Sequence, residues 1–122
     1  MIRQITLDTI TAAGEAGSAV GTVVSKYPIV GRVLGVHFDV GGTLTPTVVA
    51  GTPSQTILTP GALTADAWYY PRLGVHSYGG TALTLEGTEP VAEAPAVVGY
   101  VEARVADGGT DDTLTVTVVW ED

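Results

Sequence analysis

The chain contains no cysteine, which excludes both a disulfide framework and a thiolate metal site. Asparagine is also absent, and there is one methionine, one phenylalanine and a single lysine, Lys26. Basic residues number 5 against 13 acidic ones, giving a formal net charge of −8. A surface of that sign repels nucleic-acid phosphates and anionic lipid headgroups, so neither nucleic acid nor a membrane is expected as a partner. No apolar run approaches the ~20 residues a membrane helix needs. The opening MIRQITLDTITAAGEAG has Thr and Asp where a signal peptide carries an unbroken apolar stretch. Synthesis in the cytoplasm is therefore expected.

Reactive groups are scarce too. His37 and His76 are the only histidines, and neither stands in a metal-ligand spacing. Ser18 directly follows Gly17 in GSAVG, which breaks the G-x-S-x-G pattern of a nucleophile elbow. No acid/base pair stands out. The expectation is a non-enzymatic protein with no catalytic residue, no metal and no cofactor. The turn DGGTDD (Asp107 to Asp112) gathers three carboxylates, which a hard cation can use. Asp and Gly are also ordinary turn residues, and a solvated turn is the expected reading.

What is present is β-forming. Val and Thr are abundant, with 16 Gly and 7 Pro among 122 residues. Branched side chains suit a pleated surface, and Gly and Pro suit turns. The length fits one domain with a core of its own.

Alternation along the chain supports this. In IVGRVLGVHFDV (Ile29 to Val40), Val30, Leu34, Val36, Phe38 and Val40 share one face, with Arg32 as an exception on it. Gly31, Gly35, His37 and Asp39 take the other. Gly41 and Gly42 follow, and then the Thr-rich run from Thr43 to Ala50; Pro46 within it belongs at an edge or an irregularity. Near the end, Val97, Val101, Ala103 and Val105 alternate against Tyr100, Glu102 and Arg104. Leu114, Val116, Val118 and Trp120 then alternate against Thr115, Thr117, Val119 and Glu121. These last two runs, joined by DGGTDD, are expected to form a hairpin with one wet face. The first residues, with Ile5 and Leu7 on one side, read as a strand or extended arm, followed by a Gly-rich mobile segment.

The expected fold is all-β: a single antiparallel β-sandwich, jelly-roll-like, or a β-barrel, with an extended N-terminal arm. Residues 1–28 form the arm and flexible segment, and residues 29–122 form the sandwich domain.

The stretch FDVGGTLT has the look of a phosphate loop with Asp39 as nucleophile. A dehalogenase-type phosphatase needs a second acid two residues later, and Gly41 stands there. Two β-rich runs separated by Gly-Gly point instead to a hairpin turn. The densest aromatic stretch is DAWYYPR (Asp66 to Arg72). Trp68 and Tyr70 share one strand face and Tyr69 takes the opposite one. Aromatic rings with an arginine are what interface anchors are made of.

Tyr69 to Arg72 with His76 and Gly79, followed by the turn from Val105 to Gly109, resembles a group of small virion proteins of tailed bacteriophages, over roughly Ile29 to the end. The resemblance implies a head decoration or cement protein on the capsid surface, made in the host cytoplasm. Its partners would be the major capsid protein and neighbouring copies of itself, as a dimer or trimer. The candidate contacts are Ile5, Leu7, Lys26, Tyr27, Trp68, Tyr69, Tyr70 and Arg72. Two alternatives stand beside it: a tail or neck component, and a carbohydrate-binding β-sandwich that stacks sugars on Trp68 and Tyr70.

Overall fold

The computed structural model describes residues 1–52, 54–74, 84–85, 89–90 and 92–122. Its strands in chain order are β1 (Ile2–Thr6), β2 (Ile10–Thr11), β3 (Ala19–Val24), β4 (Ile29–Gly41), β5 (Thr45–Ala50), β6 (Gln55–Leu58), β7 (Ala67–Tyr69), β8 (Leu73–Gly74), β9 (Thr84–Leu85), β10 (Glu89–Pro90), β11 (Ala92–Glu93), β12 (Ala96–Gly99), β13 (Val101–Gly108) and β14 (Thr113–Glu121). Among the described residues there is no helix long and apolar enough to cross a membrane.

Two antiparallel sheets make the sandwich. The first runs β1-β14-β4-β12, with β2 also on β14 and β7 also on β4; the second runs β3-β13-β5-β6. Both sheets are open, so the expected all-β sandwich forms and the closed barrel does not. Two short ribbons, β9 with β10 and β8 with β11, stand apart from these sheets.

The core lies between the sheets and follows from period-two patterning. From β14 come Leu114, Val116, Val118 and Trp120, and from β13 Val101, Ala103 and Val105, all buried as the alternation predicts. Phe38, Val36, Val33 and Ile29 come from β4, and Val48 and Ala50 from β5.

Three expectations need correction. The first concerns hairpins. β4 and β5 do not pair: β4 lies in the first sheet and β5 in the second, so Gly41 and Gly42 turn a corner across the core. β13 and β14 likewise sit in opposite sheets, and the DGGTDD segment carries the chain between them. Strands that bury one face look the same in sequence whether their neighbour pairs with them or faces them across a sandwich.

The second correction concerns the arm. β1 and β2 pair with β14, and β3 pairs with β13. Ile5 and Leu7, at 7% and 3% exposure, are core residues together with Ile10, Ala12 and Ala19. The Gly-rich segment is tied down as well. Gly17 N–H donates to the Gly108 carbonyl at 3.0 Å, Asp111 N–H to that of Ala12 at 3.0 Å, and the Thr110 hydroxyl to that of Gly14 at 2.9 Å. Burial of the five apolar side chains outweighs the chain entropy that three glycines bring.

The third concerns the phase of β4. Val119 pairs with Gly35 and Trp120 with Val33, which leaves Leu34 as the extra residue of a β-bulge. The alternation flips there. Ile29 and Val33 point inward before it and Val36 and Phe38 after it, while Val30 is 60% exposed. Arg32, the apparent exception, is on the solvent side.

Pro46 fits its expected place. It pairs with Val105 of β13 on one side, and β6 reaches only Val48 to Ala50 on the other.

Candidate functional site

The site grows from the bulge. An extra residue in β4 puts Leu34 and Gly35 on the outer face of the first sheet, beside Val119 of β14. β7 runs along β4, with Trp68 paired to His37 and Tyr69 to Val36. Two anchors hold β7 in place. Val40 N–H donates to Asp66 Oδ1 at 2.8 Å just before the strand. Tyr69 turns inward and meets Phe38 edge-on, with centroids 5.8 Å apart and ring planes at 67°. Pro71, buried, closes the far end.

With Tyr69 inward, Trp68 and Tyr70 must face outward, since alternation puts them on the strand face opposite to it. They are 50% and 63% exposed. Their rings are nearly parallel, at 8°, with centroids 6.4 Å apart. His37 sits against Trp68 at 4.9 Å and 52°. The two larger rings lie over Gly35: a Cβ there would stand 3.4 Å from Tyr70 Cδ1 and 3.5 Å from Trp68 Cζ3. A branched side chain at that position would push the rings away.

Leu34, Gly35, Trp68, Tyr70, Arg72 and Val119 together line an open groove of about 410 Å3. Arg72 is exposed at its rim and donates from Nη1 to the Pro71 carbonyl at 2.7 Å, which fixes the head of the side chain. Beyond the groove the face is hydroxyl-rich. The Thr6 and Thr117 hydroxyls are hydrogen-bonded at 3.0 Å, and those of Thr9 and Thr115 at 2.8 Å. An apolar, aromatic floor with a guanidinium and hydroxyls at its margin can bind a flat partner by stacking and desolvation.

The remaining sequence candidates divide. Trp68, Tyr70 and Arg72 come together here, and Tyr69 supports them from beneath. Ile5 and Leu7 are in the core and cannot be contacts. Lys26 and Tyr27 are exposed elsewhere: Lys26 lies 3.8 Å from Asp8, and Tyr27 lines a separate groove with Arg3, Pro28 and Trp120. Leu34, Gly35, Val119 and His37 belong to the site and were not singled out as contacts. The one signal for them was the misplaced Arg32, which marks the break in alternation.

Asp39 is exposed on the outer face, opposite Thr115, and the glycines after it lead into a strand of the second sheet. No helix N-terminus follows to receive a phosphate. In the DGGTDD turn the Asp112 carboxylate accepts from Gly109 N–H at 2.8 Å and Thr43 N–H at 3.1 Å, so it fastens two crossovers together. Among the described residues no group of three or more His, Asp or Glu is placed to hold a metal ion. His76 lies outside the described residues.

No family model matches the chain, and no curated protein matches it. Among solved structures the chain is similar to a mutant of a family 29 carbohydrate-binding module, at 8% identity and a TM-score of 0.40, over 99% of this chain and 80% of that one. A likeness of that size carries no argument about a ligand.

Proposed function

We propose that this protein is a non-enzymatic binding module whose working surface is the Trp68–Tyr70–Arg72 face, and that it attaches to the major capsid shell of a virion alongside neighbouring copies of itself. The observation that carries the reading is the pair of large aromatic rings left in water on a flat sheet face. Rings of that size are costly to expose and are typical anchors at contact surfaces. The resemblance of the Tyr69 to Arg72 block to small virion proteins supports the setting. The charge of −8 suits a basic patch on a shell subunit. Repeated weak contacts over a lattice give firm attachment overall.

The test is co-sedimentation with capsid shells of the source virus. Wild-type protein should pellet with shells, and Trp68→Ala/Tyr70→Ala should stay in solution with an unchanged far-UV spectrum. Wild type left in the supernatant sinks the shell as partner. Equal pelleting by the double variant sinks this face as the contact.

One observation favours a second reading. Nearly parallel Trp68 and Tyr70 rings beside His37 and a threonine-rich margin also suit a carbohydrate, whose apolar ring faces stack on aromatics while its hydroxyls find polar partners. Binding on a glycan array, lost in Trp68→Ala, would decide for it. Silence on the array decides against it.

A further inference from the structure

β1 is the outermost strand of the first sheet and pairs with β14 alone. The ladder fixes which of its backbone groups are used. Leu7 N–H donates to the Val116 carbonyl at 2.9 Å, and Asp122 N–H to that of Met1 at 3.2 Å. Antiparallel bonding alternates, so Arg3 and Ile5 also turn their N–H and C=O toward β14. Ile2, Gln4 and Thr6 must turn theirs the other way. Among the described residues nothing bonds to them.

The other edges are shorter or partly covered. At β12 the Val98 carbonyl accepts from Thr52 N–H at 3.0 Å, and the Ala96 carbonyl from Gln55 Nε2 at 2.9 Å. At β3 the start of the edge is taken by Ala13, which exchanges two hydrogen bonds with Val20. β7 is only three residues long. β1 has neither proline nor lysine, the usual devices that keep an edge from pairing. Its one charge, Arg3, is held by Asp122 at 2.6 Å.

We propose that two copies of this chain pair antiparallel through β1, about a two-fold axis at Gln4. The register is self-complementary. Ile2 of each copy lies opposite Thr6 of the other, and Gln4 lies opposite Gln4. Those are the three residues whose backbone groups point outward, so every one of those groups gains a partner. The exposed side chains agree with the register, because Ile2 meets Thr6 and Gln4 meets Gln4. No like charges are opposed on a chain that carries −8, which removes the usual obstacle to pairing acidic molecules.

The geometry has a consequence for the aromatic face. A two-fold axis that pairs edge strands antiparallel runs perpendicular to the sheet, so it leaves both outer faces on the same side. The two first sheets become continuous, and the two Trp68–Tyr70 strips look in one direction. Any flat partner then meets two binding strips at once. The pairing itself does not depend on what that partner is.

The absence of cysteine makes a direct test possible. Directly opposed residues in a hydrogen-bonded antiparallel pair have Cα atoms about 5.5 Å apart, within disulfide range. In Gln4→Cys the new thiol has only its copy in a second chain to bond with. Mild oxidation should convert it to a covalent dimer, while Thr22→Cys on the opposite edge stays monomeric. Light scattering should give the wild type twice the 12.5 kDa chain mass. Gln4→Lys, which opposes two ammonium groups at the axis on an exposed position, should return it to one chain mass. A monomeric wild type at about 100 μM, well above the range of stable dimers, overturns the proposal. So does a Gln4→Lys dimer of undiminished stability, or cross-linking no faster at position 4 than at position 22.

Discussion

The two outer faces of the sandwich carry grooves of nearly equal size, about 410 Å3 beside Trp68 and about 400 Å3 beside Arg104. Their walls differ. The groove on the second sheet is lined by Val20, Thr22, Thr45, Thr47, Ala106 and Arg104, with the Arg104 head bonded to Glu102 at 3.1 Å. Small branched side chains and an internal ion pair are what a solvated sheet face ordinarily shows. The first sheet has instead a bulge, a glycine floor and two rings that the core does not need. Inward, the two sheets are alike: both present mainly aliphatic side chains to one shared core. Size alone therefore does not distinguish a working surface. It is distinguished by side chains that folding leaves unexplained.

The largest expected effects fall on what the sheets share. Removing residues 1–27 strips three strands and five core side chains, and the remainder is expected not to fold, as read by loss of a cooperative thermal transition. Phe38→Ala, at the centre of the core beneath Tyr69, should cost about 3–5 kcal/mol in chemical denaturation. If residues 28–122 fold alone, the first 27 are an appendage after all.

Next come the corners that join the sheets. Gly42 has φ +120, and an added Cβ would run into the Asp112 carboxylate; Gly61 has φ +86 and open space around it. Gly61→Ala should cost about 1–2 kcal/mol from backbone strain alone. Gly42→Ala should cost clearly more, because it also displaces the acceptor of the Gly109 and Thr43 N–H groups. Asp112→Ala, which removes that acceptor without adding strain, should lie at about 1–3 kcal/mol. Equal costs at Gly42 and Gly61 would mean that Asp112 holds nothing together.

Trp68→Ala and Thr47→Ala compare the two faces directly. Neither should change stability by more than about 1 kcal/mol, since both side chains are partly in water. Only Trp68→Ala should weaken partner binding, by tenfold or more. Equal losses from both would remove the distinction between the faces.

These contrasts also show what the sequence could reveal. The alternation of Leu114 to Trp120 and of Val101 to Val105 is visible because each strand buries one face, and burial leaves a period of two. That Tyr69 lies on the face opposite Trp68 and Tyr70 follows from the same rule, while which of the two faces is inward does not. Sheet membership leaves no such trace: Gly41–Gly42 can make a hairpin turn or a corner between layers, and the strands on either side bury the same residues in both cases. The bulge at Leu34, which built the floor of the groove, left one trace only, the misplaced Arg32, because any residue type can occupy the bulge itself. Ile5 and Leu7 were legible as apolar and extended. Only the pairing of β1 with β14 showed that their partner is the chain's own core.

The smallest effect concerns the edge of the first sheet. Asp122 is exposed at the chain's edge, and its carboxyl is held below the usual aspartate range, first by the hydrogen bond from Arg3 and then by that from the Met1 amino group. A carboxyl depressed in the folded state adds stability that is present above its unfolded pKa and disappears as pH falls through the lower, folded value. The contribution should therefore be intact at neutral pH and fade only below the ordinary aspartate range. Solvent screening keeps it slight. Carbon-13 shifts of the Asp122 carboxyl, followed through an acid titration, should give a midpoint below that of a free aspartate. Arg3→Ala should raise this midpoint while leaving the outer faces of both sheets unchanged. A midpoint that ignores Arg3→Ala would show that the pair does not persist in solution, and the edge strand β1 would then be free of its one charged restraint.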